Sequence, residues 1–172
     1  MDVKGEKEYI DIDRKLNRLN LYRGSISKDE VSVISLLSGK RISGKSDYTY
    51  TESSMEKYVG VVSAAIVKAG LAKQLAEQLG ASIFDSSKIF LMTASEFKSS
   101  VFVDWFAVVD MANNIEDLKV KLKKRAAGKV VLRYSISPEH YWDEKKEIES
   151  GLEGRDTVHI FKKEGFILAK TL

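Results

Sequence analysis

Asp104 is the first residue whose setting in this chain suggests chemistry. It lies in VFVDWFAVVD (101–110), flanked on its own face by Phe102 and Phe106 if the run is a strand. A carboxylate held between two phenylalanines without a counter-charge keeps its proton tightly, which suits acid/base work. The competing reading pairs Asp104 with Arg133 or Lys98 of a neighbouring strand, or opens its face to water. Asp110 shares that face, but roughly 20 Å along a strand, so the two acids cannot hold one metal unless the strand bends.

Charge segregation is the second feature. Residues 115–127 carry Lys119, Lys121, Lys123, Lys124 and Arg125 against Glu116 and Asp117. The next helical stretch, from 139, carries Glu139, Asp143, Glu144, Glu147 and Glu149 against Lys145 and Lys146. A basic helix beside an exposed strand can grip phosphates, and Arg14 and Arg18 add a second candidate nucleic-acid contact near the N-terminus. The competing reading lays the basic and acidic helices side by side, each offsetting the other.

Asp85, Glu96 and Lys98 form the third constellation, written D-x10-E-F-K. It resembles the scattered Asp…Glu-x-Lys set of the restriction-endonuclease-like nucleases. That resemblance implies an acid pair holding Mg2+ and a lysine that helps activate water. Under this alternative reading the chain is a metal-dependent nuclease. Under every other reading it needs no cofactor.

Composition narrows the classes. The 172 residues are 44% hydrophobic and 31% charged, as in a globular domain, with a net charge of +3, too small to argue for nucleic acid by itself. There is no cysteine, which rules out disulfide frameworks and thiolate catalysis. The two histidines, His140 and His159, are far apart in sequence, which makes a histidine-rich metal site improbable. The opening MDVKGEKEY lacks an apolar signal core, and no apolar stretch is long enough to span a membrane. These features predict a cytoplasmic protein with no membrane partner, and leave self-association into a homo-oligomer open.

The elements that would position these residues are read from apolar spacing. The fold class expected is α/β, with α+β as the variant: a mixed sheet of about five strands with helices packed on it. The strands fall near 83–96, 100–111, 129–136, 156–162 and 166–171. A helix over 115–127, N-capped by Asn114 and ended near Gly128, joins two strands as a parallel crossover pair. Pro138 opens another helix at 139–152. Lys163-Glu164-Gly165 turns a C-terminal hairpin, with Gly165 supplying a positive φ. A long buried helix is expected over 54–79, kinked at Gly70 and ended by Gly80. Upstream, Leu16, Leu19 and Tyr22 suggest a helix over 13–22, and a Ser27…Glu30 capping box suggests another through Leu37. The implied organisation is an N-terminal helical segment (1–38), a loop or linker (39–54) and an α/β core (55–172). The functional expectation is a small non-enzymatic binding or regulatory module acting through a protein or nucleic-acid partner.

The segment 59–67 is nearly all apolar, so it is expected in the core. Val62→Asp should therefore abolish cooperative folding, because an unpaired buried charge costs several kcal/mol. Thermal melting checks this: a soluble variant melting near wild type would contradict it.

Overall fold

The computed structural model describes residues 4–172. They form strands β1 (Glu6–Ile12), β2 (Lys15–Tyr22), β3 (Val31–Ser35), β4 (Arg41–Gly44), β5 (Tyr58–Val62), β6 (Ser82–Asp85), β7 (Leu91–Ala94), β8 (Val103–Ala112), β9 (Ala127–Leu132), β10 (Asp156–Lys162) and β11 (Phe166–Thr171). Four helices accompany them: α1 (Ala64–Ala69), α2 (Ala72–Leu79), α3 (Ile115–Lys124) and α4 (Pro138–Glu149). The strands make two mixed sheets, a four-stranded one ordered β2-β1-β3-β4 and a seven-stranded one ordered β6-β7-β5-β8-β11-β10-β9. No helix among the described residues is long and apolar enough to cross a membrane.

The protein is therefore mostly β, which corrects the α/β expectation of a five-stranded sheet behind an N-terminal helical segment. Both N-terminal helices are absent. The stretch 13–22 is the turn into β2 and β2 itself, and the Ser27–Glu30 stretch leads into β3. In place of the capping box, the backbone N–H groups of Lys28 and Asp29 donate to the Glu6 carboxylate at 3.0 and 3.3 Å. The long helix over 54–79 is instead β5 followed by two short helices. Gly70 ends α1 in the left-handed conformation (φ 69°), where a kink was expected, and Gly80 ends α2 the same way (φ 66°). The segment 59–67 is core as expected: Val59, Val62, Ala65 and Ile66 are all buried.

The C-terminal half follows the sequence more closely. Asn114 caps α3 by accepting from the Asp117 N–H at 2.8 Å. Ala126 (φ 52°), not Gly128, takes the left-handed position after that helix. Gly128 is needed for room, since a Cβ there would sit 2.1 Å from the Gly154 carbonyl oxygen. The β10–β11 hairpin forms in antiparallel register from His159↔Ala169 to Lys162↔Phe166. Gly165 is not among its positive-φ glycines; it makes space beside the Ala112 carbonyl, which a Cβ would approach to 2.6 Å. Strands β8 and β9 do run the same way, but β11 and β10 lie between them. The adjacent parallel pair is β9 with β10, joined through α4.

Packing follows the strand alternation. On one face of the large sheet, Val62, Met92, Val103 and Trp105 meet α1 and α2, whose other sides bury Val31, Val33 and Ile42 of the small sheet. Gly60 lets Trp105 lie flat on β5, because a Cβ would come within 2.8 Å of the indole ring. Farther along the same face, Val130, Leu132, Val158, Ile160 and Leu168 meet Leu118 and Leu122 of α3 and Ile148 of α4. All four helices thus cover one face. The opposite face is also apolar, with Val59, Phe84, Leu91, Phe106, Phe161, Ile167 and Ala169 buried together.

Two buried acids fix the small sheet. The Asp11 carboxylate accepts from the Ser63 hydroxyl, and Ser63 in turn caps α1 by accepting from the Ala65 N–H at 3.2 Å. Glu6, 2% exposed, accepts from Ser32 Oγ, from the Lys28 and Asp29 N–H groups and from the Arg41 guanidinium. Burial alone would raise the Glu6 pKa, but these donors outweigh it and hold it at about 2. Its folded value lies below the unfolded value of about 4.3, so Glu6 stabilises the fold above that pH, and the contribution is lost as pH falls toward 2. Urea midpoints should fall through this acid window in wild type. Glu6→Gln should be less stable at neutral pH and flatter with acid; an unchanged acid slope would contradict the assignment.

Candidate functional site

The large sheet brings its two ends together. β6 stands first in the strand order and β10 sixth, so in a flat sheet they would be roughly 24 Å apart. Yet the Lys163 ammonium, one residue past β10, donates to the Phe84 carbonyl of β6 at 2.6 Å and to the Glu52 carboxylate at 2.8 Å. Its cation also lies 4.6 Å from the centre of the Phe84 ring. The sheet must therefore curl, with its helix-free face inward. The hydrogen bond from Lys163, with those from the Ser86 N–H and hydroxyl, holds the Glu52 pKa at about 2.

A cleft of about 380 Å³ opens along this seam. Three separate stretches line it: the β6–β7 loop (Asp85, Ser87, Lys88, Ile89), the segment from β9 into α4 (Arg133–Ser137, His140, Glu144), and Lys162 with Lys163 at the hairpin. Four fixed cations, Lys88, Arg133, Lys162 and Lys163, face two carboxylates there. Both carboxylates are engaged by neutral donors. Asp85 accepts from the Ser87 N–H and hydroxyl at 2.8 and 2.6 Å, and Glu144 accepts from the Tyr134 hydroxyl at 2.7 Å. Burial, then the Glu144 carboxylate, pushes the Tyr134 phenol well above its usual range, so it remains a donor. Among the described residues, Lys88, Arg133 and Lys162 have no carboxylate within 4.0 Å. Lys162 instead lies 5.0 Å above the Phe166 ring and 5.5 Å above Tyr134. The first turn of α4 begins at the rim with Ser137 as its cap residue and Pro138 behind it. Its N–H groups add positive character to the cleft.

Arg133 links the cleft to the inner face. Its Nε donates to His159 Nδ1 at 3.2 Å, and its guanidinium lies 5.2 Å from the centre of the Phe106 ring. The His159 proton accordingly resides on Nε2. His159 is buried against Phe106, ring centres 4.6 Å apart. Burial and the Arg133 cation push the imidazole below its usual range, against the pull of Asp104. Asp104 thus stands on the inner face of β8 near His159 and Arg133, opposite Val61 of β5 in the ladder. Its surroundings are those of a charge group with a cation and an imidazole.

The other residues singled out from sequence lie elsewhere. Asp85 ends β6 opposite Leu91, whereas Glu96 and Lys98 follow the far end of β7 in an exposed loop. Leu91 to Glu96 is roughly 16 Å of extended chain, so the Asp85, Glu96 and Lys98 set does not converge. No group of three or more His, Cys, Asp or Glu able to hold a metal occurs among the described residues. On α3, Lys121 pairs with Asp117 at 2.9 Å and Arg125 with Asp110 at 3.1 Å, while Lys119 reaches Glu147 of α4 at 3.7 Å. Three of the five cations of α3 and its C-cap residue Arg125 are thereby partnered, leaving Lys123 and Lys124 exposed. Arg14 and Arg18 are exposed in the β1–β2 turn and on β2, in the other sheet. The cleft cations escaped sequence reasoning because they are single residues in three segments. The one local signal is the Lys162-Lys163 pair at the hairpin.

No protein-family model and no curated protein matches the chain. Among solved structures, the chain is similar to a Porphyromonas gingivalis W83 protein described as a putative methyltransferase. The likeness covers 97% of this chain and 45% of that one, at 18% identity and a TM-score of 0.63. The chain thus spans less than half the length of that protein, and the likeness is one of fold.

The seam makes its own prediction. Lys163→Met keeps an apolar stem over Phe84 but leaves the Phe84 carbonyl and Glu52 without their donor. It should cost about 1–3 kcal/mol in urea unfolding and move the Glu52 titration up toward the ordinary glutamate range. An unchanged Glu52 titration by NMR would show that Lys163 does not hold the seam.

Proposed function

We propose that this chain is a non-enzymatic binding module whose seam cleft holds the phosphate backbone of single-stranded nucleic acid. The observation that carries the reading is the set Lys88, Arg133 and Lys162, which faces one cleft with no carboxylate partner among the described residues. Cations placed this way recover little from the protein and gain from a phosphate, with release of counterions. The Ser135 and Ser137 hydroxyls and the first turn of α4 supply the neutral donors that phosphate oxygens also use. The cleft is lined by three separate segments, and Ser87, Lys88, Ser135, Ser137 and Lys162 in its lining are exposed, which leaves it accessible to a strand. The ion pairing of α3 argues for this cleft over the basic helix as the contact. A nuclease reading is not carried forward, because its three residues lie apart. The fold likeness to part of a larger protein is compatible with a module that presents a bound substrate to a catalytic unit, and it lends no activity to this chain.

The test is binding of a fluorescent single-stranded oligonucleotide as a function of salt. Lys88→Glu with Lys162→Glu should weaken binding at least tenfold at low salt. It should also reduce the slope of log affinity against log salt by about 1.4, or about 0.7 for each lost phosphate contact on a single strand. Lys123→Glu with Lys124→Glu on α3 should leave both unchanged. Loss of binding in the α3 variant instead, or no binding by wild type at low salt, would overturn the proposal.

A further inference from the structure

A second pocket lies on the other side of Lys163, and its chemistry differs from that of the cleft. It measures about 350 Å³ and is lined by Ser53, Ser54, Met55, Phe84, Met111, Lys163, Glu164, Gly165 and Ile167. Its walls are mainly apolar, and Met111 is 52% exposed at its mouth. Among the described residues its one lining cation, Lys163, is tied to Glu52 and to the Phe84 carbonyl. The one acid, Glu164, is exposed at the hairpin tip. Such a pocket offers apolar surface with a hydrogen-bond acceptor at its rim, which suits a flat apolar group that carries N–H donors.

We infer that this pocket takes the base of the nucleotide whose phosphate lies in the cleft. The inference rests on the cleft reading and adds the ligand's second point of attachment. Three features support it. Lys163 lines both cavities, so the two sites adjoin and one ligand can occupy both. Met55 and Met111 offer polarisable surface for one face of a base, a kind of contact that tolerates any base. The Glu164 carboxylate only accepts hydrogen bonds, so it favours bases with an exocyclic amine (adenine, cytosine, guanine) over thymine or uracil, whose Watson–Crick edge offers only the ring N3–H as a donor. The cleft thus supplies affinity without sequence, and the pocket adds a bias toward amine-bearing bases.

The experiment compares full-length protein with three eight-nucleotide probes by fluorescence anisotropy: oligo(dA), oligo(dT) and an abasic strand of the same length. Oligo(dA) should bind roughly tenfold more tightly than the abasic strand, the size of one stacked base, with oligo(dT) between them. Met111→Ala, at an exposed site that leaves folding intact, should weaken oligo(dA) several-fold and leave the abasic strand unchanged. Glu164→Gln should narrow the gap between oligo(dA) and oligo(dT). Equal affinity for oligo(dA) and the abasic strand, unaffected by Met111→Ala, would overturn the base pocket while leaving the phosphate cleft standing. Failure of all three probes to bind at low salt would overturn the cleft and the pocket together.

Discussion

The structure depends on one mismatch: the seven-stranded sheet is apolar on both faces, but its helices cover only one. A sheet buried on both faces ordinarily has helices on each side. Here α1 to α4 all pack on one face, leaving Phe84, Phe106, Phe161 and Ile167 on the other. Leaving that surface in water would forfeit about 25 cal/mol for each Å² of apolar area. Curling the sheet removes it by bringing β6 against the β10–β11 hairpin. Lys163 sits where the ends meet, its ammonium satisfying the Phe84 carbonyl and lying over the Phe84 ring. The same curl places Lys163 in the lining of both cavities.

The seam also decides the electrostatics. Residues far apart in the chain are placed side by side without the carboxylates that accompany them elsewhere. On α3 the neighbouring acids Asp110, Asp117 and Glu147 lie within reach of three cations. On the small sheet, Arg41 is spent on Glu6 and Asp29. At the seam, Asp85 and Glu144 are occupied by serine and tyrosine donors. Glu52 answers Lys163, and the remaining charge of Asp85 and Glu144 offsets only part of the field from Lys88, Arg133 and Lys162. An unspent positive field in a concave, partly desolvated place is what raises the local concentration of an anion.

Much of the C-terminal half was legible because its signals are local. The hairpin at 156–171, the Asn114 cap and Pro138 at the start of α4 depend on a few adjacent residues. The N-terminal half misled for identifiable reasons. Leu16 and Leu19 are three apart, which reads as helical, yet both belong to β2. The β1–β2 register shifts between Ile10↔Arg18 and Asp11↔Leu16, leaving Asn17 as an extra residue. A bulge of this kind turns a spacing of two into a spacing of three, so Leu16 and Leu19 share a strand face. In 58–67 the difficulty was the reverse. A strand buried on both faces has no period, and YVGVV running into AAIV is indistinguishable from a buried helix. Gly60 within that run serves the approach of Trp105 across a ladder. The candidate site was the least legible part, because nothing in the sequence says that residue 84 meets residue 163.

The most direct test of the central claim is an NMR titration of isotope-labelled protein with a single-stranded oligonucleotide at low salt. If the curled sheet makes the binding site, the perturbed amides will cluster at 84–89, 133–140 and 162–165 and scale with one binding curve. Perturbations confined to α3 or β2, or none at saturating oligonucleotide, would contradict it.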